Sequence, residues 1–82
     1  MKSLARDPKQ IGNAIRRIRK GQKMSQADLG TKAGLRQETI SLIENGHPAA
    51  KIETLLAILA VLDLEFQIDV RSRSGLDVES DF

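Results

Sequence analysis

The chain has 82 residues, enough for one small domain but not for a second hydrophobic core. It contains no cysteine, which excludes a disulfide framework and a thiolate metal site and fits a reducing cytoplasm. No apolar run approaches the roughly 20 residues of a membrane span, and the first residues lack the apolar stretch of a signal peptide. We therefore expect a cytoplasmic protein that has no membrane partner.

The formal net charge of +2 hides a strong asymmetry along the chain. Residues 1–46 carry ten Lys or Arg against four Asp or Glu, whereas residues 47–82 carry three against seven. A basic front half favours a polyanionic partner, and an acidic back half favours a different one. The alternative is that both charged blocks only solvate the surface.

Residues 1–7 are predicted as an N-terminal arm, and the first helix begins at Asp7-Pro8. The Asp7 carboxylate can cap free amides, and proline at the first helical position lacks an amide hydrogen that would have no partner there. The helix runs to about Lys20, with Gly21 as its stop. Its apolar positions repeat at helical spacing: Ile11, Ala14, Ile15 and Ile18. Its solvent-facing flank carries Arg16, Arg17 and Lys20.

Two further short helices are predicted between residues 25 and 46. Ser25 opens the second helix, with Asp28 three residues later as a weaker form of the capping box. The third helix spans roughly Arg36 to Asn45 and stops at Gly46. The predicted buried positions of the pair are apolar or small: Leu29, Ala33, Leu35, Ile40 and Ile43.

The two short helices have the spacing of a helix-turn-helix. Gly30 leaves room for a close helix crossing, and Gly34 can adopt the positive φ that the turn requires. In helix-turn-helix folds the outer face of the second helix of the motif enters the DNA major groove. Here that face carries six candidates for contact with base edges: Arg36, Gln37, Glu38, Thr39, Ser41 and Leu42. DNA binding is therefore the first functional hypothesis.

After the His47-Pro48 loop, residues 52–62 are predicted as a fourth helix that is apolar on almost every side. Such a helix is usually buried on every side, so in this small domain we expect one side to face another subunit. Residues 64–71 then alternate apolar and polar side chains, the period of a half-buried strand. Because a solitary strand needs a partner edge, residues 63–71 are predicted to pair with their own copy about a two-fold axis. The predicted dimer contacts are Leu59, Leu62, Leu64, Phe66, Ile68 and Val70.

Residues 72–82 form an acidic tail that we expect to be disordered in isolation. Leu76, Val78 and Phe82 alternate with acidic residues, the composition of a short docking segment that folds on a basic, grooved partner. The alternative is a frayed end that carries an incidental phenylalanine.

The chain from about Ile11 to Leu62 resembles the Cro/repressor class of helix-turn-helix proteins, the XRE family. The residues that carry this resemblance are Gln26, Gly34, Gln37, Ile40, Glu44, Asn45 and Gly46. The resemblance implies a mainly α, lambda-repressor-like bundle of four or five helices over residues 8–62, with one C-terminal β-strand that pairs across a homodimer. Gly30 departs from the more usual alanine, which should destabilise the second helix by roughly 0.5–1 kcal/mol. Ala49-Ala50 also departs from the family pattern, in which a residue with a hydroxyl group usually caps the start of the fourth helix.

The resemblance also implies roles for individual side chains. Gln37 stands at the head of the recognition helix, where its amide can bond adenine N6 and N7 together. Five residues resemble the family's phosphate clamp: Lys23, Ser25, Gln26, Lys32 and Asn45. Arg19 is expected opposite Glu44 in a partly buried ion pair that fixes the third helix against the first. Taken singly, Gln26 and Gln37 can also be ordinary surface glutamines.

No group of residues favours catalysis. His47 is the only histidine and has no cysteine or carboxylate at metal-ligand spacing, so it is interpreted as a loop or phosphate-facing residue. Met24 precedes the second helix at a position that favours core packing. We therefore predict no enzyme activity, no cofactor and no metal.

The order of helix-turn-helix, dimerisation strand and acidic tail resembles HipB-type antitoxins, which pair with HipA-type kinase toxins and repress their own operon. This resemblance implies three partners: double-stranded DNA with a palindromic operator, a second copy of the chain, and a HipA-like kinase toxin. The alternative is a stand-alone XRE-family regulator with no toxin partner. Its dimer would read half-sites about 34 Å apart.

Overall fold

The computed structural model describes residues 4–71, which contain four α-helices and no strand. The helices are α1 (Pro8–Gly21), α2 (Gln26–Ala33), α3 (Gln37–Glu44) and α4 (Ile52–Val61). Helix α3 packs against both α1 and α2, and α4 packs against α2. The predicted mainly α helix-turn-helix bundle is therefore confirmed, with four helices in the described part of the chain. No helix of residues 4–71 is long and apolar enough to cross a membrane.

The start of α1 follows the predicted capping chemistry. Asp7 has extended backbone angles, its carboxylate accepts a hydrogen bond of 2.7 Å from the Gln10 amide, and Pro8 occupies the first helical position. At the other end α1 stops at Gly21, as predicted, but Gly21 is not the residue with positive φ. Gly21 is the last helical residue, and the left-handed residue that closes the helix is Lys23, with φ of 59°.

All four helices end in the same backbone arrangement, the Schellman motif. Each has a residue with positive φ after its last turn, and the next amide donates to a carbonyl five residues earlier. The left-handed residues are Lys23, Gly34, Gly46 and Asp63. The closing bonds run from Met24 to Arg19, Leu35 to Gly30, His47 to Leu42 and Leu64 to Leu59, at 2.8 to 3.2 Å. The connections between helices are consequently short and hydrogen-bonded.

The hydrophobic core is drawn from all four helices. Its buried apolar residues are Ile15, Leu29, Ile40, Ile43, Ile58, Leu59 and Leu62. Leu59 and Leu62, predicted as dimer contacts, therefore belong to the core of the single chain. Because α4 is apolar on almost every side, its sequence did not distinguish the core side from the outer side. Ile52 and Leu56 are the large apolar residues that α4 leaves exposed.

Two glycines allow backbones to approach closely. A Cβ added at Gly12 of α1 would lie 2.7 Å from the Glu44 carbonyl oxygen, so α1 and α3 cross in contact there. A Cβ added at Gly30 would lie 2.8 Å from the Leu35 carbonyl oxygen. Gly30 thus fits the approach of the turn to α2, and alanine at this position would require the turn to shift. The expected close approach at Gly30 is confirmed, whereas Gly12 was not anticipated.

Residues 64–71 have no strand hydrogen bonds in the single chain. Leu64 is half-buried against the core, but Phe66, Ile68 and Val70 are exposed at alternate positions. The predicted strand is not formed because a strand needs a second backbone edge, and the described residues supply none. Its pairing across a dimer stays a prediction. The tail residues Leu76, Val78 and Phe82 lie outside the described residues.

Candidate nucleic-acid interface

Helix α3 presents most of the predicted base-contacting residues to solvent. Its buried side consists of Ile40, Ile43 and Glu44. Arg36, at the N-cap, and Gln37, Glu38 and Leu42 are exposed, whereas Thr39 and Ser41 are half-buried. Gln37 is the first helical residue, so its amide stands at the exposed leading end of α3. This arrangement suits insertion of the N-terminal end of α3 into a groove.

Thr39 lies at the edge of the exposed face. Together with Leu42 it borders an open groove of about 290 Å³ between α3 and the start of α4. The same groove is lined by Lys51 and Thr54. Helix α4 starts without a side-chain cap at Lys51, as the Ala49-Ala50 departure indicated. Thr39 therefore lies where the outer face of α3 meets this groove, and its contact with bases stays a prediction.

The start of α2 supplies the second part of the candidate interface. The Ser25 hydroxyl accepts from the Asp28 amide at 2.9 Å, and the Asp28 carboxylate accepts from the Ser25 amide at 3.1 Å. The predicted capping box is thus present in both directions. The Ser25 amide lowers the pKa of the Asp28 carboxyl. The cap fixes the start of α2, and with it the backbone position from which the Gln26 side chain extends.

A buried ion pair joins α1 to the last residue of α3. The Arg19 guanidinium donates to the Glu44 carboxylate from Nε at 2.6 Å and from Nη2 at 3.0 Å, which is the expected pair in a bidentate geometry. The side chains are 8% and 0% exposed. Arg19 Nη1 also donates to the Met24 carbonyl at 2.7 Å. One guanidinium therefore links α1, the loop before α2, and α3.

The Glu44 carboxylate accepts from two further side chains. Gln26 Nε2 donates at 3.1 Å, and Arg16 Nε donates at 3.5 Å. Burial raises the pKa of the Glu44 carboxyl, but the hydrogen bonds from Arg19, Gln26 and Arg16 lower it by more, so the net pKa lies below its ordinary value. The bond to Glu44 raises the pKa of the Arg19 guanidinium against the effect of burial. Glu44 is therefore held ionised.

Arg16 was predicted on the solvent flank of α1, and the structure places it in this network. Besides its contact with Glu44, Arg16 Nη2 donates to Asn45 Oδ1 at 3.0 Å. The available signal was its spacing from Arg19, because residues three apart lie on one helix face. Its partners are 28 and 29 residues away, so local periodicity alone did not identify them.

The remaining predicted phosphate contacts are lysines on the surface. Lys23 is exposed and has the left-handed backbone conformation in the loop between α1 and α2, and Lys32 is exposed in the last turn of α2. A non-glycine residue in this conformation is uncommon and is a reason to consider function. His47 is exposed, and its Nδ1 accepts from the Ala49 amide at 3.2 Å, which fits the predicted loop position.

Comparisons with known sequences agree with this geometry. The helix-turn-helix family profile matches residues 15–68. The antitoxin HipB of Escherichia coli K12 is 33% identical over 73 residues, which cover 88% of this chain and 83% of that protein. An uncharacterized HTH-type transcriptional regulator of Sinorhizobium fredii, y4dL, is 40% identical over 55 residues but is covered over only 28% of its length.

Solved structures show the same likeness. HipB in a complex with an O4 20mer aligns with a TM-score of 0.78 and 29% identity over 84% of this chain and 97% of that one. HipB in a HipA-HipB-O2-O3 complex aligns with the same values. SinR, a master regulator for biofilm formation solved in complex with DNA, aligns with a TM-score of 0.62 and 36% identity over 67% of this chain.

Proposed function

Because this chain belongs to the Cro/repressor class of helix-turn-helix proteins, we propose that it is a HipB-like antitoxin. In this proposal a homodimer binds a palindromic operator, represses its own operon and neutralises a HipA-like kinase toxin in the cytoplasm. The observation that carries the proposal is the structural likeness to HipB in the HipA-HipB-O2-O3 complex, which extends over 84% of this chain and 97% of the HipB chain. The proposal gives the chain no catalytic role.

The DNA-binding part of the proposal rests on α3 and the start of α2. Gln37 at the exposed head of α3 would bond adenine in the major groove, and Arg36 would reach guanine or a phosphate. Gln26 and Asn45 would hold the DNA backbone on either side of that contact. Further contacts are proposed from Glu38, Ser41 and Leu42 to bases, and from Lys23, Ser25 and Lys32 to phosphates.

The homodimer part rests on apolar residues that the single chain leaves exposed. Phe66, Ile68 and Val70 alternate along residues 64–71, and Ile52 and Leu56 are exposed on α4. Two copies of residues 64–71 paired about a two-fold axis would satisfy their backbone groups and cover this surface. The dimer would then present two α3 helices to half-sites about one turn of DNA apart.

The toxin-binding part rests on the HipB relatives and on the acidic tail. Leu76, Val78 and Phe82 are proposed to bind an apolar groove on the kinase, with the neighbouring carboxylates increasing the rate of association. The alternative is a stand-alone regulator, and the specific observation that favours it is the likeness to SinR over two thirds of the chain.

One experiment separates the two functions. The reading frame beside the gene is searched for a HipA-like kinase, and the protein it encodes is co-expressed with this chain. The purified proteins are then titrated against each other and against the DNA upstream of the gene. An antitoxin binds both the kinase and the DNA, and a variant lacking residues 76–82 binds the DNA equally well but the kinase more weakly. DNA binding without kinase binding would identify the stand-alone regulator.

A further inference from the structure

We propose that Arg16 is a positioning residue for the DNA backbone contact, which it prepares by fixing the orientation of the Asn45 side-chain amide. The inference rests on the proposed DNA-binding function and adds to it a residue of α1 that lies outside the helix-turn-helix motif. In this arrangement Asn45 touches the phosphate, and Arg16 acts through Asn45.

The chemistry of the two groups determines which way the Asn45 amide faces. A guanidinium only donates hydrogen bonds, so the Asn45 atom that meets Arg16 Nη2 at 3.0 Å must be the oxygen, Oδ1. Both hydrogens of Nδ2 are then left on the opposite side of the amide. Asn45 is exposed at the end of α3. The outward-facing Nδ2 group can consequently donate hydrogen bonds to a phosphate oxygen.

Glu44 fixes the side-chain amide of Gln26, which meets the carboxylate through its nitrogen instead of its oxygen. A carboxylate only accepts, so the Gln26 atom that meets Glu44 Oε1 at 3.1 Å must be Nε2. Arg16 Nε donates to that same Oε1 atom. Gln26 and Asn45, which belong to different helices, are therefore coupled through one carboxylate and one guanidinium. We call these four residues, Arg16, Gln26, Glu44 and Asn45, the amide relay.

The geometry favours an indirect role for Arg16. Its Nε is committed to Glu44 and its Nη2 to Asn45, and its side chain is 38% exposed. The fork of the guanidinium reaches both partners at once, whereas an ammonium is a single point of charge. Removal of Arg16 leaves the Asn45 amide free to rotate, so its donors face the DNA only part of the time.

A double-mutant cycle tests the positioning role. Wild type, Arg16→Met, Asn45→Ala and the double variant are titrated by fluorescence anisotropy against a 20-base-pair duplex of arbitrary sequence. Phosphate contacts do not depend on sequence, so this probe does not require the operator. We expect each single change to weaken binding by about threefold to tenfold, the value of one hydrogen bond, and the double variant to match Asn45→Ala.

Additive losses would overturn the inference, because they would mean that Arg16 contacts DNA or acts by charge alone. Lys20→Met, which removes one exposed positive charge from the same helix, is the matched control and should change affinity less than Arg16→Met. Arg16→Lys keeps the charge but loses the fork, and wild-type affinity in this variant would also reject the positioning role.

A measurement on the free protein keeps the inference separate from the proposed function. In a ¹H–¹⁵N correlation spectrum, Arg16→Met should shift the two side-chain NH₂ signals of Asn45, because the Oδ1 atom of the same amide loses its hydrogen bond from Arg16. Unchanged signals would reject the amide relay whatever the DNA result. If the wild type binds no duplex DNA at low salt while the signals shift, the proposed function fails and the orientation of Asn45 stands.

Discussion

The Arg19 guanidinium and the Glu44 carboxylate meet through two parallel hydrogen bonds, 2.6 Å from Nε to Oε2 and 3.0 Å from Nη2 to Oε1. Glu44 lies on α3, and its side chain is fully buried, whereas Arg19 is 8% exposed on α1. The pair therefore holds the recognition helix against the rest of the bundle from inside. Its loss affects stability first and DNA binding as a consequence.

Glu44→Ala should lower the free energy of unfolding by about 3–5 kcal/mol, because it leaves the Arg19 guanidinium buried without its counter-charge. Urea denaturation followed by circular dichroism measures the change. The matched control is Glu38→Ala on the exposed face of the same helix, where we expect a loss of at most about 1 kcal/mol. Equal losses in the two variants would show that burial of the pair is unimportant.

The same carboxylate predicts a pH dependence. The pKa of Glu44 is lowered in the folded state, so its contribution is present above the unfolded pKa and is lost as the pH falls through the lower folded value. Wild type should therefore lose stability between roughly pH 5 and pH 2. Because Glu44→Gln cannot titrate at this position, its stability should fall less steeply over that range. Parallel curves for the two proteins would contradict the assignment.

The helix boundaries were predictable wherever the signal is local. Asp7-Pro8 and the Ser25 and Asp28 pair use side chains next to the backbone groups that they cap, so a few residues of sequence suffice. Lys23 and Asp63 were not predictable as helix ends, because neither lysine nor aspartate has glycine's freedom at positive φ. Their conformations depend on tertiary packing that positions the helices before and after them.

Two glycines next to helix ends should respond oppositely to the same substitution. A Cβ meets no atom within 4 Å at either Gly21 or Gly34, so space does not distinguish them. Gly34 has φ of 74°, so Gly34→Ala should lower the free energy of unfolding by about 1–2 kcal/mol. Gly21 is helical, so Gly21→Ala should raise the free energy of unfolding by about 0.5–1 kcal/mol, because alanine has the higher helix propensity. Thermal unfolding of both variants would disprove the backbone argument if the changes had the same sign.

The candidate site was predictable in residue type but not in connectivity. The family pattern indicated Gln26 and Asn45 as phosphate contacts and Glu44 as the partner of Arg19, without a link between the two groups. Only the folded chain joins them, because the donor that links Glu44 to Asn45 is Arg16 on a different helix. A helix periodicity assigns a side chain to a face, but it does not identify which residue from another helix lies opposite.

Gln37→Ala should weaken binding to the operator by about 1–3 kcal/mol and relax the base preference at one position in each half-site. The exposed position of Gln37 at the head of α3 means that the variant should unfold at the wild-type temperature. Gln26→Ala is the comparison, since a backbone contact should weaken operator and arbitrary duplexes alike. The affinity of each variant for both duplexes is measured at one fixed salt concentration. An unchanged operator affinity for Gln37→Ala would show that Gln37 does not contact a base.

Ile68 provides the sharpest test of the dimer, because its side chain is fully exposed in the single chain. If residues 64–71 pair between two copies, Phe66, Ile68 and Val70 become one buried face, and each change in sequence acts twice by symmetry. Ile68→Asp should then weaken dimerisation by about 3–6 kcal/mol, twice the value of one buried isoleucine. Gln67→Asp introduces the same side chain on the opposite face of an extended chain and should have little effect. Sedimentation velocity at micromolar concentration measures both variants, and an intact dimer in Ile68→Asp would assign the interface to the exposed side of α4, where Ile52 and Leu56 lie.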